Sequence, residues 1–135
     1  MDYQGIEKRE FARLDHACPL SFKICKKETV DELFKGYTVN VSQSGILCQL
    51  KEKVKQDDIL WLVFDRSTLH FCQEIERLTF IYQNGIIGKV VRIEESQDNS
   101  FNVGVQFITR EEKNISQIYP DVHFLCENND AATRQ

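Results

Sequence analysis

The chain has 135 residues, of which 41% are hydrophobic and 28% charged, and its formal net charge is −4 at pH 7. This length fits one domain with a modest core, and the composition is typical of a globular protein. The acidic balance argues against a general nucleic-acid binder, because such proteins are usually basic overall.

The first 13 residues are mostly polar and predict a flexible N-terminal arm that buries little surface. Residues 14–25 then alternate apolar and polar side chains, which predicts a half-buried strand. Pro19 cannot donate a hydrogen bond to a sheet, so we expect it at an edge or a bulge of this strand. A charged connector with one possible helical turn follows over residues 26–36.

Two further strands are predicted between residues 36 and 50, joined by the hexamer Asn40-Val41-Ser42-Gln43-Ser44-Gly45. Apolar, β-branched residues flank this hexamer, and Asn, Ser and Gly are typical turn residues. The hexamer is also rich in functional groups. Asn40 offers an amide, Ser42 offers a hydroxyl, and Gly45 lets a ligand or a strained backbone come close. In isolation, such a hexamer is more often a plain turn than a binding site.

The middle of the chain predicts a charged loop, a buried strand and a hairpin. Residues 51–58 are charged, and the continuous apolar run 59–64 is short enough for a strand with both faces covered. Within residues 65–83, Ser67 is a candidate cap for a short helix, after which the chain returns to strand. Asn84-Gly85 is the strongest hairpin signal in the sequence.

Two more strands are expected over residues 86–94, where Gly88 permits a bulge, and over residues 101–108, which alternate with one buried face. The chain thus contains six or seven short strands. With one terminal helix, this pattern indicates a mainly β protein built as a small antiparallel barrel.

The terminal helix is predicted at residues 110–127. Thr109 and Glu112 form a capping-box pattern at its start, and an apolar stripe follows at helical spacing. Pro120 should kink or restart the helix, because proline lacks the amide hydrogen that a helix interior needs. Residues 128–135 are polar and predict a frayed tail.

No catalytic or metal site is recognisable. The five cysteines are scattered without a Cys-x-x-Cys pair, which gives neither a zinc site nor a disulfide framework and indicates a reducing compartment. The histidines lack metal-ligand spacing and the serines lack a nucleophile-elbow pattern, so we expect no enzyme.

No apolar run could span a bilayer, and the start of the chain lacks the apolar centre of a signal peptide. We therefore expect a cytoplasmic protein without direct membrane insertion.

A second polar motif lies about 27 residues upstream of the hexamer. In the stretch Lys8-Arg9-Glu10-Phe11-Ala12-Arg13, two arginines are four residues apart. Guanidinium groups recognise phosphates and the O6/N7 edge of guanine with two parallel hydrogen bonds. A local basic cluster on an acidic chain suits a small anionic ligand better than a nucleic-acid duplex.

Taken together, Arg-x-x-x-Arg followed by Asn-x-Ser-x-x-Gly resembles the ligand motif of the PilZ domain family, the bacterial receptors for cyclic di-GMP. The resemblance covers about residues 5–125, and the run Val103–Phe107 is similar to the family's last strand. It implies a six-stranded, split-type β-barrel over residues 14–109, followed by a helix. Residues 65–85 would then be a family-atypical insertion of a helix and a hairpin.

The resemblance also implies a role for each motif residue. Arg9 and Arg13 would grip a phosphate and a guanine edge from the arm. Asn40 and Ser42 would hydrogen-bond a guanine on the barrel surface, and Gly45 would allow close backbone packing at the turn. Ligand binding would order the arm across the barrel and change the surface offered to a downstream protein partner.

Lys8 precedes the first motif arginine and bears on stoichiometry. In the family, an arginine at this position tends to accompany an intercalated ligand dimer, whereas an apolar residue tends to accompany one ligand. Lys8 carries the charge without the planar fork of arginine. We therefore expect one or two molecules of cyclic di-GMP per chain, with the cation favouring two, and a protein that is a monomer or a homodimer.

Two other functions remain open at this point. The first is a PilZ-like interaction or assembly module that binds no nucleotide, although degenerate members would be expected to lose the arginines or the Asn/Ser turn and this chain has both. The second is a small-barrel RNA binder. The aromatic residues lie mostly at alternating core positions, without an obvious basic and aromatic exposed stripe, which disfavours RNA.

Overall fold

The computed structural model describes residues 14–15, 18–67, 69–96 and 98–133. Within these residues the chain forms eight strands and two helices. They are β1 (Leu14–Asp15), β2 (Pro19–Ile24), β3 (Phe34–Val41), β4 (Gly45–Leu50), β5 (Ile59–Phe64), α1 (Cys72–Leu78), β6 (Ile81–Tyr82), β7 (Gly85–Glu95), β8 (Phe101–Phe107) and α2 (Glu112–Thr133). The predicted arm, with Lys8, Arg9 and Arg13, lies outside the described residues.

Six of the strands close into an antiparallel barrel. They pair in the order β3, β2, β5, β7, β8, β4, and β4 pairs back onto β3. Outside this ring, β1 pairs with β3 and β6 pairs with β7. Closure pairs the backbone on both sides of each barrel strand, which removes the open edges of a flat sheet. The predicted six-stranded antiparallel barrel with a C-terminal helix is confirmed.

The barrel interior follows from the alternation in the sequence, because successive side chains of a strand point to opposite faces. In β2, Leu20, Phe22 and Ile24 are buried while the residues between them are half-buried. Pro19 opens this strand, a position that needs no amide hydrogen from proline. Strands β2, β3 and β4 correspond to the first three predicted strands, although β2 begins at Pro19, β3 begins at Phe34, and β1 is a separate strand of two residues.

Helix α2 covers one side of the barrel and produces a second, smaller core. Val122 and Leu125 pack in a cluster with Ile59 and Ile87 from β5 and β7. Leu60, on the opposite face of β5, belongs to the barrel interior. The expectation that β5 is covered on both faces is therefore confirmed, and it explains why the run lacks polar residues.

Both predicted helix caps are wrong, because other partners occupy the side chains. The hydroxyl of Ser67 donates to Oδ1 of Asp65 at 2.6 Å, and α1 begins five residues later without a side-chain cap. Thr109 forms an isolated bridge with Thr79 and accepts a hydrogen bond from Asn114 Nδ2 at 2.6 Å. Helix α2 accordingly begins at Glu112, and its backbone continues as helix to Thr133, beyond the predicted end at residue 127.

Pro120 lies inside α2, and the helix is continuous across it. Of the predicted kink or restart, the restart is therefore wrong, and the kink stays a prediction. The 26–36 connector contains turns and no helix, and its last three residues belong to β3. In the described part of the chain, no helix has the length and apolar character needed to cross a membrane.

The predicted hairpin is confirmed with its turn one residue earlier. Gln83 and Asn84 both have positive φ, at 50° and 68°, and Tyr82 pairs with Gly85. Two central residues of positive φ form the turn that suits a twisted hairpin. Gly85 instead begins β7, where a Cβ atom would fall on the indole of Trp61. This glycine is needed for close packing rather than for the turn.

The bulge in β7 is not at Gly88. The pairing with β8 shifts by one residue between Val90 and Arg92, so that Val91 is the extra residue. Gly88 lies where a Cβ atom would strike the side chain of Val105. A second shift occurs in β3, where Val39 is the extra residue relative to β4.

Candidate functional site

A pocket of about 340 Å³ lies on the outside of the barrel, across strands β3, β4, β8 and β7. Asn40, Ser42 and Gly45 of the predicted motif all line it, and Arg92 of β7 lines its far side. The fold thus brings together the three described motif residues. Lys8, Arg9 and Arg13, the other predicted site residues, lie outside the described part of the chain.

Four residues form a row across the pocket, each paired with the next. Asn40 is paired with Leu47, Leu47 with Gly104, and Gly104 with Arg92. Adjacent strands are 4.7–4.9 Å apart, so the row from Asn40 to Arg92 measures about 14 Å along the curved sheet. The row places an amide at one end, a guanidinium at the other, and an apolar floor between them.

The two bulges aim the ends of this row outward. In β3, Thr38 is buried, Val39 is exposed, and Asn40 faces the surface pocket while Val41 is again fully buried. In β7, Val90 is buried, and Val91 and Arg92 are both exposed. Without the bulges, strict alternation would have pointed Asn40 and Arg92 into the barrel, because a one-residue slip exchanges the two faces of a strand.

The Asn40–Gly45 turn is held by the hydroxyl of Ser42, whose residue is only 8% exposed. The backbone N–H of Ser42 donates to the carbonyl of Gly45 at 2.9 Å, and its Oγ donates to the same carbonyl at 3.3 Å. Oγ also accepts from the N–H of Ser44 at 3.3 Å. Ser44 Oγ lies 3.5 Å from the same oxygen and can donate to its second lone pair, so a ligand donor would take the place of this contact.

Gly45 is required by the neighbouring strand. A Cβ atom at this position would lie 2.5 Å from the carbonyl oxygen of Val105. The turn is fixed to β8 a second time, because the N–H of Phe107 donates to the carbonyl of Ser44 at 2.9 Å. The close approach that the sequence suggested at Gly45 is therefore an approach of the barrel's own backbone.

Arg92 is a candidate site residue that the sequence analysis missed. Its side chain is 65% exposed, and its Nε lies 3.8 Å from Oε2 of Glu94, which is 60% exposed. An exposed pair of this kind contributes little, so the guanidinium remains available to an anion. The only signal in the sequence was an arginine interrupting the apolar run Val90–Ile93, where alternation would place a buried side chain.

The start of β1 lies beside the same pocket. Leu14 pairs with Val41, and Asp15 pairs with Asn40. Paired residues of antiparallel strands have Cα atoms about 4.5–5.5 Å apart. The chain segment that carries the arginine motif therefore joins the barrel next to the motif asparagine, and Arg13 is the residue before Leu14 in the sequence.

A second pocket, of about 390 Å³, lies at the other end of β3 and β4 and is lined by Tyr37 and Gln49 among others. Asp98, at its edge, accepts hydrogen bonds from Ser100 Oγ at 2.6 Å and Ser96 Oγ at 2.8 Å. These bonds lower the pKa of the Asp98 carboxyl. The pocket contains none of the predicted site residues.

Among the described residues, Arg92 is the charged side chain that lines the first pocket. Burial raises the pKa of the Cys25 and Cys48 thiols to about 12 each, so both are neutral near pH 7. In the described part of the chain, no group of three or more His, Cys, Asp or Glu side chains is placed to hold a metal ion.

Comparison with known proteins matches the chain to the PilZ domain model over residues 7–119. No curated protein matches the chain. Among solved structures, the inhibitor of motility MotI (DgrA) of Bacillus subtilis superposes with a TM-score of 0.54 and 12% identity, covering 86% of this chain and 50% of that chain. YcgR of Escherichia coli, solved in complex with c-di-GMP, superposes with a TM-score of 0.50 and 10% identity, covering 94% and 50%.

The chain spans about half the length of each of these two structures. At such low identity, the superpositions show a shared fold. The family model covers most of the chain, including the turn, both bulges and all six strands of the barrel. The chain belongs to the PilZ domain family.

Proposed function

We propose that the chain is a receptor for cyclic di-GMP that changes its N-terminal arm and surface on binding and thereby regulates a partner protein. The observation that carries the proposal is the row from Asn40 to Arg92, with β1 entering beside Asn40. The fold neighbour YcgR, solved with c-di-GMP, supports the choice of ligand.

The described groups match the chemistry of a guanine nucleotide. The amide of Asn40 can donate and accept at a guanine edge, and the hydroxyl of Ser42 can accept from the ligand in place of its 3.5 Å contact with Ser44 Oγ. Arg92 supplies a guanidinium for a phosphate or for the O6/N7 edge of guanine. Leu47, with Gly104, gives an apolar floor on which a flat base can lie.

Arg9 and Arg13 supply the remaining positive charge in this proposal. Arg13 is one residue from Leu14, and Arg9 is five residues from it. An extended chain spans about 3.3–3.6 Å per residue, so Arg9 can reach about 17 Å from Leu14. This reach exceeds the 14 Å row, which allows the arm to close over a bound nucleotide. Lys8 adds a cation that favours a second ligand molecule.

The receptor makes and breaks no covalent bond in this proposal. Its output is the ordered arm and the altered surface that it offers to a downstream protein in the cytoplasm. Ordering residues on binding costs conformational entropy, so the contacts of the arginines must exceed that cost for the arm to close.

Isothermal titration calorimetry with cyclic di-GMP, and with GTP and GMP as controls, tests the proposal. We expect selective binding by the wild type and a loss of roughly 10- to 150-fold for Arg9→Ala or Arg13→Ala, the effect of removing a charge-assisted hydrogen bond. Arg77→Ala, which removes an arginine from the last turn of α1, should bind as the wild type does.

The molar ratio of the titration distinguishes one bound molecule from two. A folded wild type that shows no binding at high micromolar cyclic di-GMP would contradict the receptor function. That outcome would favour the nucleotide-free interaction module.

A further inference from the structure

Glycine is required at four of the five described glycine positions, and Gly104 is the exception. A Cβ atom would collide with the neighbouring strand or with a ring at Gly36, Gly45, Gly85 and Gly88. At Gly104 it would lie 3.5 Å from Arg92 Cβ and 3.9 Å from Val91 Cγ2, which are ordinary contact distances. None of these glycines has a positive φ. Neither packing nor backbone conformation demands glycine at position 104.

Glycine also weakens the strand in which it stands. Inside a strand it loses more conformational freedom on folding than alanine does, and it offers no side chain to pack. Position 104 lies in the middle of β8, paired with β4 on one side and β7 on the other. The fold alone would be at least as stable with a small side chain there.

The location of Gly104 gives this glycine a different use. Val103 and Val105 point into the barrel, so position 104 faces outward into the pocket. In the row across the pocket it lies between Leu47 and Arg92. A side chain here would rise from the floor at the point between the amide and the guanidinium.

We propose that Gly104 sets the depth of the pocket and thereby admits the flat face of a purine base. The base lies against the sheet at this position, with Leu47 and Val91 on either side and its polar edges toward Asn40 and Arg92. The inference rests on the proposed function, since it takes the ligand to be a guanine nucleotide. It assigns Gly104 to ligand fit, whereas Gly45 serves the closure of the barrel.

A size series separates ligand fit from a structural role. Gly104→Ala, Gly104→Val and Gly104→Leu fill the pocket progressively while adding side chains that a strand tolerates. If Gly104 were needed for folding, its substitutions would lower the stability of the protein and its ligand affinity together. If Gly104 only keeps the pocket open, the substitutions would weaken binding while the stability of the free protein stays constant or rises.

The experiment compares melting temperatures without ligand and dissociation constants for cyclic di-GMP across this series. We expect melting temperatures equal to or above that of the wild type. We expect weaker binding with each added group, by at least tenfold for Gly104→Val and Gly104→Leu. Asn102→Leu is the matched control, because Asn102 lies on the same face of β8 outside the pocket, and its dissociation constant should stay within twofold.

Two results would overturn the inference on its own. One is binding by Gly104→Leu that equals binding by a wild type that does bind cyclic di-GMP. The other is a melting temperature of Gly104→Ala that falls as far as that of Gly45→Ala. A wild type that binds no cyclic di-GMP would instead overturn the proposed function and this inference with it.

Discussion

A Cβ atom on Gly45 would lie 2.5 Å from the carbonyl oxygen of Val105, closer than real Cβ atoms approach a backbone oxygen. This contact is between β4 and β8, two adjacent strands whose residues Leu47 and Gly104 form the floor of the pocket. The glycine of the turn motif therefore has a structural role that does not depend on any ligand.

Replacing this glycine should destabilise the protein. We expect Gly45→Ala to lower the free energy of unfolding by about 1–3 kcal/mol, because the added methyl group forces strand β4 away from β8. Gly104→Ala adds the same atom where it meets only ordinary contacts, and it should leave the free energy of unfolding unchanged or higher. Equilibrium unfolding in urea measures both, and equal losses for the two variants would contradict the assignment.

The two serines of the turn should differ although they are chemically identical. Ser42→Ala removes the hydroxyl that bonds both Gly45 O and Ser44 N, and we expect a loss of about 1 kcal/mol in the free energy of unfolding. The exposed Ser44 hydroxyl has only a 3.5 Å contact with Ser42 Oγ, so Ser44→Ala should cost less than half as much.

The variants Ser42→Ala and Ser44→Ala also test the role of Ser42 in ligand binding. Cyclic di-GMP affinity should fall for Ser42→Ala and stay near the wild-type value for Ser44→Ala, as measured by calorimetry. A larger effect of Ser44→Ala in either assay would show that the wrong hydroxyl has been assigned.

Arg92 should contribute to ligand affinity through its charge. We expect Arg92→Ala to weaken cyclic di-GMP binding about tenfold, the lower end for a charge-assisted hydrogen bond, because the side chain is well exposed. Glu94→Gln removes the carboxylate beside it and should leave affinity equal or slightly higher. The difference between Arg92→Ala and the wild type should shrink as salt is raised, because salt screens exposed charges. If the affinities of the wild type and of Arg92→Ala fall by the same factor between low and high salt, Arg92 is excluded from the site.

Arg110 should hold the C-terminal end of α1. Its Nε donates to the carbonyl of Thr79 and its Nη2 donates to the carbonyl of Glu76, both at 2.7 Å. We expect Arg110→Ala to speed hydrogen exchange of the α1 amides while the barrel amides stay protected, at a cost of about 1–2 kcal/mol in local stability. Arg77→Ala, in the last turn of the same helix, is the control. Equal rates of hydrogen exchange for the α1 amides in Arg110→Ala and Arg77→Ala would contradict the role of Arg110.

The buried thiols predict a loss of stability at alkaline pH. Burial raises the pKa of Cys25 and Cys48 from the ordinary value of 9.0 to about 12. Between pH 9 and 12 the folded protein keeps protons that the unfolded chain releases, so the free energy of unfolding falls as pH rises. Each thiol contributes a slope of about 1.4 kcal/mol per pH unit.

Cys48→Val isolates one of these contributions, because the substitution removes the thiol at similar volume. Urea unfolding at several pH values between 8.5 and 10.5 should show a shallower decline for Cys48→Val than for the wild type. Other titrating groups are common to both proteins and cancel in the comparison. Parallel curves would show that Cys48 is not protonated in this range in the folded state.

The strands of the barrel were determined by the sequence itself. Alternation in β2 and β8, the continuous apolar run of β5 and the polar turn at Asn40–Gly45 each depend on neighbours within one segment. A strand whose apolar residues alternate with polar ones buries one face. Several such strands in succession close into a barrel, because open sheet edges are unfavourable. The hairpin before β7 was predicted for the same reason, from residues that accept positive φ.

The caps were decided by hydrogen-bond partners outside the capping pattern, and the continuity of α2 at its proline by packing against the barrel. Ser67 is held by Asp65, and Thr109 by Thr79 and Asn114, so neither is available to a helix start. Helix α2 continues through Pro120, and its packed residues Val122 and Leu125 lie beyond the proline. Tertiary packing of an apolar face contributes more to a helix than local propensity does.

The candidate site combined both kinds of information. The sequence identified Asn40, Ser42 and Gly45 as one turn, because those residues are close along the chain. Only the tertiary structure placed Arg92 and Gly104 beside them, since the bulges at Val39 and Val91 depend on the register between strands that are far apart in sequence. A shift of one residue turns a side chain from the barrel interior to its surface, and no segment read alone contains that register.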